Sequence, residues 1–479
     1  MPGQSQQLHI VHTNDLHSSF EQMPRIATAV RRARAKWGEE QLLLLDIGDH
    51  MDRMRVETEG SMGEANVAVL NATGYDAVVL GNNEGLTFPK ATIADTYRKH
   101  AQFRILGTNL LDSDIGRQPD WLSSSVLLQR GNLKVGLIGV TAFYASFYAL
   151  LGWTATEPLQ AVREEAIKLR LAGAQLVIVM SHLGLMMDQR MARETEGIDL
   201  ILGGHSHHLM EQPEREGSVW LAATGSHGRF IGELTVSYDF ETGNVTLDEG
   251  DSVPLGQYEP DEAIASLIER YRVCSVDRLE QVVATLEHPL DVDWYGESPL
   301  GNLLASGIRR WTGAEIGLVN AGQLLSGLER GPVTLGRLHA MCPSPINPCL
   351  TMLDGRHLLE ALEESLQPDY MERAIKGYGF RGQVLGILGT DGLSIEYDPN
   401  GEAGASILSV LVNGVPLELE RRYRVGMIDM FTFGSGYMSL SRGEDTTYYL
   451  PEFIRDVLRA QLGRPEELDR CRRLNWLAR

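Results

Sequence analysis

Cysteine is scarce in this chain: four occur in 479 residues, Cys274, Cys342, Cys349 and Cys471. So few exclude a framework of disulfides, and although Cys342 and Cys349 stand close enough in sequence to raise the question of one bridge, reduced thiols are the simpler expectation. Long apolar runs are lacking too. Those at 42–45 and 176–180 are of strand length, far below the roughly 20 residues that cross a bilayer, so no membrane partner is expected. Ahead of the apolar run at 8–11 the chain reads Met-Pro-Gly-Gln-Ser-Gln-Gln. It shows no basic stretch, apolar stretch or small-residue cleavage site, and the expectation is no export signal and a cytoplasmic location. Positive charge is in short supply, with Lys and Arg numbering 43 against 64 Asp and Glu for a net charge of −21. A protein that tracks nucleic-acid backbones needs clustered cations, so a nucleic-acid polymer is excluded as partner. An anionic substrate would have to be met by local positive charge, of which metal ions are one source.

What is present is globular material in excess of one core. With 43% hydrophobic and 22% charged residues over this length, two domains are expected. From residue 8 to about 240, short β-branched or leucine-rich runs alternate with helical stretches, the pattern of α/β layers. The runs at 8–11, 42–45, 77–80, 135–140, 176–180, 200–202 and 220–223 read as buried strands, and 25–36 and 159–171 as surface helices. Around 254–260 the chain turns polar with Pro and Gly, and 262–280 then reads as a charged amphipathic helix, taken as a linker. The remainder carries its own strands (407–412, 423–426) and helices (302–311, 356–365, 452–462), hence a second α/β domain. No internal repeat or low-complexity tract is visible.

Ligand-type residues fall directly after the strands of the first half. The strand ends read Asn14-Asp15-Leu16-His17, Asp46-Ile47-Gly48-Asp49-His50, Gly81-Asn82-Asn83-Glu84, Ser181-His182 and Gly203-Gly204-His205-Ser206-His207-His208. In open α/β sheets the carboxyl ends of strands form the crevice where ligands bind, so residues far apart in sequence converge there. Asp or Asn after a strand is ordinarily a turn residue or helix cap, and a single His beside a strand is ordinarily structural. Five strand ends of this kind together are another matter, and the glycines before His205 let two imidazoles approach one point. Carboxylates and imidazoles suit Zn, Mn, Fe or Co. Seven donors are too many for one tetrahedral ion and suit two ions sharing a bridging carboxylate.

At this point the chain resembles a known family. Asp15-x-His17, Gly48-Asp49, Gly81-Asn82, His182 and Gly203-Gly204-His205-Ser206-His207 look like the calcineurin-like metallophosphoesterase signature, and Thr-Asn-Asp-Leu-His is its 5′-nucleotidase form. The second half is similar through Glu297-Ser298-Pro299-Leu300-Gly301-Asn302-Leu303 and Asn320-Ala321-Gly322. The resemblance implies a four-layer metallophosphoesterase β-sandwich flanked by helices over residues 1–255, a linker helix over 256–285, and a smaller α/β substrate-binding domain over 286–479. It implies two divalent metal ions, one on Asp15, His17 and His207, the other on Asn82, His182 and His205, with Asp49 bridging. Metal-dependent hydrolysis of a nucleotide or related small phosphate ester follows, a step of nucleotide catabolism. A phosphodiesterase, a non-nucleotide phosphatase, or a metal-bound ligand-binding protein with little turnover are the alternatives.

The sequence departs from that family in two places. The family reads Gly-Asn-His-Glu, whose His serves the leaving group or the transition state with help from an Asp three residues on; here those positions hold Asn83 and Leu86. Neither delivers a proton at neutral pH, which makes His50 and His227 the replacement candidates beside Asn83. In the second half Leu325, Trp294, Ser344, Asp429 and Ser435 fall where arginines, stacking aromatics and a ribose-binding Asp would stand. Asn320, Phe431 and Tyr437 are the remaining candidates for substrate contact, with Phe433 a further possible stacking face.

Overall fold

The computed structural model describes residues 5–479, and the first four residues, read above for an export segment, lie outside that range. Two compact units divide the chain, Met1–Ser275 and Val276–Arg479, and the division falls within the helix Glu262–Leu279.

In the first unit two six-stranded sheets stack face to face. One runs Val245–Pro254, Phe230–Asp239, Ser5–Thr13, Leu42–Asp46, Ala77–Val79, Arg104–Leu106, and the other Glu214–Glu216, Val219–Ala222, Leu200–Gly203, Leu176–His182, Leu133–Thr141, Ser125–Arg130. Strands joined through helices pair in parallel, as Ser5–Thr13 does with Leu42–Asp46 and Leu133–Thr141 with Leu176–His182. Such strands are covered on both faces, which is why they read as unbroken apolar runs rather than alternating ones. Alternate residues interdigitate between the sheets: Leu8, Ile10, Leu43, Leu45 and Val79 meet Leu137, Ile178, Met180 and Leu202. Intervening residues Ile138, Val140, Val177, Val179 and Ile201 face outward against Leu159, Val162 and Ala166 of the helix Pro158–Leu171. Each such side chain contributes about 1.5–3 kcal/mol by leaving water. The four-layer sandwich is as expected.

The second unit packs the amphipathic helix Pro299–Thr312 on a five-stranded mixed sheet, in the order Leu388–Asp391, Ile316–Asn320, Arg422–Ile428, Pro348–Asp354, Glu444–Tyr448. A four-stranded sheet adds Val415–Pro416, Ile407–Val412, Leu393–Tyr397 and Trp476–Ala478. Its core is one cluster including Leu300, Leu304, Ile308, Val319, Val425, Phe431 and Tyr437.

Several strands were not read from the sequence, among them two neighbours in the first unit's first sheet. Phe230–Asp239 and Val245–Pro254 form a long antiparallel hairpin at a sheet edge, and the second is so acidic and exposed that it carries no apolar run. All four cysteines are free, with Cys342 and Cys349 buried. Among the described residues no helix is long and apolar enough to cross a membrane.

Candidate metal centre

The five predicted strand ends meet at one end of the stacked sheets. Backbone bonds fasten the first two loops together, Asp15 N donating to Gly48 O at 3.0 Å and His17 N to Asp49 O at 2.8 Å. Glu84, fully buried, accepts from the amides of Asp49, Gly81 and Met51 at 3.1, 2.8 and 2.7 Å. Two groups of donors result, Asp15 with His17 and His207, and Asp49 with His182 and His205, with ligand atoms in each group within 4.8 Å of one another. Within them Asp15 Oδ1 lies 3.4 Å from His207 Nε2, and Asp49 Oδ1 3.3 Å from His182 Nε2. The groups adjoin, since Asp15 Oδ1 is also 4.0 Å from His182 Nε2.

Glycine makes the approach possible. A Cβ on Gly81 would lie 2.0 Å from Asp49 Oδ1, and one on Gly204 would lie 3.0 Å from His182 Nδ1 and 3.2 Å from Asp15 Oδ2. Strain is concentrated here too. Of 11 non-glycine residues with positive φ among those described, Asp15, His17, Ser18, Asp49, His205 and His207 belong to these loops, and His227 to the loop after Val219–Ala222. Each costs on the order of 1–3 kcal/mol and persists only where its surroundings over-determine it.

The electrostatics match a cation site. Burial alone would raise the Asp49 carboxyl, but the His182 charge and hydrogen bond, then His17 and the Asn83 amide, hold it well below the usual carboxylate range. Burial opposes protonation of His182, yet Asp49 and Asp15 push it up to about 10. His182 Nδ1 lies 2.7 Å from Ile47 O; donating there fixes the ring orientation and directs Nε2 toward Asp49 Oδ1, 3.3 Å away. Among the buried polar atoms without a hydrogen-bond partner are His182 Nε2 and Asn82 Oδ1, on two of the expected ligand residues. Unpartnered polar atoms of this kind need an explanation in a folded protein; His182 belongs to the Asp49–His182–His205 group, its Nε2 beside Asp49 Oδ1, and Asn82 is the residue expected on the same ion, so the donor set fits divalent metal.

The three residues considered for proton delivery part company. Asn83 is engaged: its Nδ2 donates to Met51 O at 2.9 Å and lies 3.1 Å from His17 Nδ1. His50 is 2% exposed and turned inward, with Nε2 2.8 Å from Tyr97 Oη and Nδ1 3.2 Å from Asp46 Oδ1. Both ring nitrogens thus point at neighbouring side chains, away from the place expected from its position after Asp49. His227 does reach the cluster, its ring centroid 5.2 Å from that of His17 and 6.0 Å from that of His207. Burial and then the charges of His17, His207 and Arg229 lower it to about 4, so at pH 7 it is a neutral imidazole, an N–H hydrogen-bond donor and not a general acid.

In the second unit the candidates are buried, their polar groups bonded to the chain itself. Asn320, Phe431 and Tyr437 are each 0% exposed. Asn320 Nδ2 donates to Leu385 O at 2.6 Å, its Oδ1 accepts from Gln323, and Tyr437 Oη donates to Gly386 O at 2.5 Å. The Glu297 motif has a structural use as well, its carboxylate accepting from the amides of Asn475 and Trp476 and from Asn302 Nδ2. Phe433 instead is 44% exposed and stacks with Tyr378, centroids 6.1 Å apart and planes at 17°, and with Tyr448. Sequence reasoning named Phe433 and missed Tyr378, which lies in a loop without periodicity.

A stacked α/β sandwich with two adjoining carboxylate–imidazole groups at its strand ends has the makings of a metal-dependent hydrolase. Residues 8–209 match the calcineurin-like phosphoesterase family and residues 282–442 the 5′-nucleotidase C-terminal domain. The metallophosphoesterase YunD of Bacillus subtilis is 33% identical over 96% of this chain and 99% of its own length. The snake venom 5′-nucleotidase of Crotalus adamanteus is 26% identical over 92% of this chain and 84% of its own. Among solved structures, the 5′-nucleotidase precursor from Thermus thermophilus shares the fold at 23% identity, TM-score 0.60, covering 96% of both chains. The chain belongs to the 5′-nucleotidase family of metallophosphoesterases, enzymes that hydrolyse phosphate esters.

Proposed function

We propose that this chain hydrolyses a nucleotide or closely related phosphate ester with two divalent metal ions, drawn from Mn, Zn, Fe and Co. Asp15, His17 and His207 hold one, Asn82, His182 and His205 the other, and Asp49 both. The observation that carries the reading is the convergence of two adjoining donor groups, Asp15 with His17 and His207 and Asp49 with His182 and His205, with Asp15 Oδ1 4.0 Å from His182 Nε2. Such an ion pair, when bound, activates a water for in-line attack and neutralises phosphoryl charge. The chain's own contribution is positional: the Ile47 carbonyl orients the His182 ring, Glu84 holds the amides of Asp49 and Gly81, and Asn83 braces His17. The second unit is the substrate-recognition domain in this reading, with the Phe433–Tyr378 stack its exposed aromatic face.

A phosphate-release screen over nucleoside monophosphates, diesters and sugar phosphates with Mn²⁺, Zn²⁺ and Co²⁺ tests this, against a chelator-treated control. Release that depends on metal is the expected outcome, steepest for good leaving groups because neither Asn83 nor His227 supplies a proton. A second reading, a metal-bound binding protein with little turnover, is favoured by the engaged Asn83; ligand-induced stabilisation without phosphate release would select it.

A further inference from the structure

The Asn83 amide is engaged by Met51 O and His17. One hydroxyl stands at the edge of the cluster. Tyr144 Oη is 3.2 Å from His205 Nε2, the two rings cross at 65°, and Tyr144 is 39% exposed. The loop that carries it is firmly built. Asn109 clamps the end of the preceding strand by two bonds of 2.9 Å to the backbone of Thr141. The following helix Ala145–Leu150 is pinned by Tyr148, fully buried, whose hydroxyl lies 3.3 Å from Thr141 Oγ1. The Tyr148 ring rests on Gly85, where a Cβ would come within 2.7 Å of it. Gly85 belongs to the helix Asn82–Thr87, the one that carries Asn83 in place of the family's histidine. The Tyr144 loop is therefore seated on the helix from which that histidine is missing.

Resting on the phosphohydrolase reading above, we propose that Tyr144 contacts substrate, its phenol O–H donating a hydrogen bond to a phosphoryl oxygen on the Asp49–His182–His205 side of the site. A histidine that offers one ring nitrogen to a metal carries its proton on the other. Nε2 of His205 faces the phenol, so Nε2–H donates to the phenol oxygen and Nδ1 is left for the cluster. The phenol then keeps its own hydrogen for the substrate, and a phenol is protonated at neutral pH. A preset donor at a position of developing negative charge contributes about 10²–10³-fold to rate.

Tyr144→Phe removes one oxygen and little packing. With both proteins saturated in Mn²⁺, metal content is measured first, then inorganic phosphate binding by titration calorimetry, then turnover of p-nitrophenyl phosphate. The expected result is unchanged Mn²⁺ stoichiometry, phosphate bound about tenfold or more weakly, and kcat reduced about 10²-fold. Phosphate affinity within twofold of wild type at saturating metal overturns the inference, including the case where the variant merely needs more Mn²⁺, because Tyr144 would then only orient His205. A wild-type protein that binds neither Mn²⁺ nor phosphate sinks the phosphohydrolase reading and this inference together, so the two failures are told apart.

Discussion

In the first unit the family's motif residues end as polar atoms short of partners, His182 Nε2 and Asn82 Oδ1 among them. In the second the motif residues are mostly taken up by the chain itself: Glu297 accepts three N–H groups, Asn302 Nδ2 meets Glu297 and the backbone of Cys471 and Arg473 while its Oδ1 is left without a partner, and Asn320 is bonded through both ends of its amide. The contrast teaches how to read a motif. A recurrent residue type says that the backbone takes the same path, and the inventory of its partners says whether the side chain works on a ligand or on the chain itself.

Substitution should break the contrast most visibly at its two carboxylates. Asp49→Asn is expected to abolish stoichiometric metal binding and cut activity by at least about 10²–10³-fold while the second unit melts unchanged. Glu297→Ala should leave metal content alone and destabilise the second unit by about 2–4 kcal/mol, the loss expected for charge-assisted bonds to backbone amides. Metal analysis and thermal unfolding of both variants check this, and metal loss from Glu297→Ala would erase the distinction.

A second pair of aspartates sharpens it through pH. Asp49 is held charged, whereas Asp429, buried with one oxygen unpartnered, is pushed up to about 7 by burial, against which the Asn347 and Met430 amides act only in part. A raised folded-state pKa means that the stability associated with Asp429 is fully present below the unfolded value near 3.9 and is lost as pH rises to about 7. The variant Asp429→Asn should therefore match wild type near pH 4 and exceed it at pH 8 by a few kcal/mol at most, since each tenfold change in proton affinity is worth about 1.4 kcal/mol. Denaturant melts at the two pH values decide it; a constant difference would mean that Asp429 is already ionised in the folded protein.

The smallest expected effect separates two phenylalanines two positions apart. Phe431→Ala removes a ring that is 0% exposed and should cost about 3–5 kcal/mol. Phe433→Ala should cost under about 1 kcal/mol yet raise KM for an aromatic-base substrate a few-fold with kcat retained. Equal KM values for wild type and Phe433→Ala would remove Phe433 from substrate recognition.

Most of the first unit was legible in the sequence because parallel strands buried on both faces write themselves as apolar runs, as at Leu42–Asp46. The convergence of Asp15, His17, Asp49, His182, His205 and His207 was legible for a related reason: strand ends are the positions where residues distant in sequence converge, and Gly81 and Gly204 marked where no side chain fits. The fate of His50 was not, since adjacency to Asp49 says nothing about rotation toward Asp46, Glu84 and Tyr97. Nor was Tyr144, which follows an ordinary strand end and reaches His205 only through the packing of Tyr148 on Gly85. In the second unit the aromatic stretch around Phe431 shows no period that separates core from surface, and burial alone sorts Phe431 and Tyr437 from Phe433.

Glu84, with the amides of Asp49, Met51 and Gly81 all donating to one buried carboxylate, has a consequence in time. Loop amides ordinarily trade their hydrogens with solvent quickly, through local openings of little cost. These three cannot open one at a time without stranding the others against an unsolvated charge, so their exchange with deuterium should be as slow as that of the central strands. In hydrogen-exchange terms the apparent loops of the site belong to the core, and a ligand arriving there meets a surface whose ordering entropy was spent during folding.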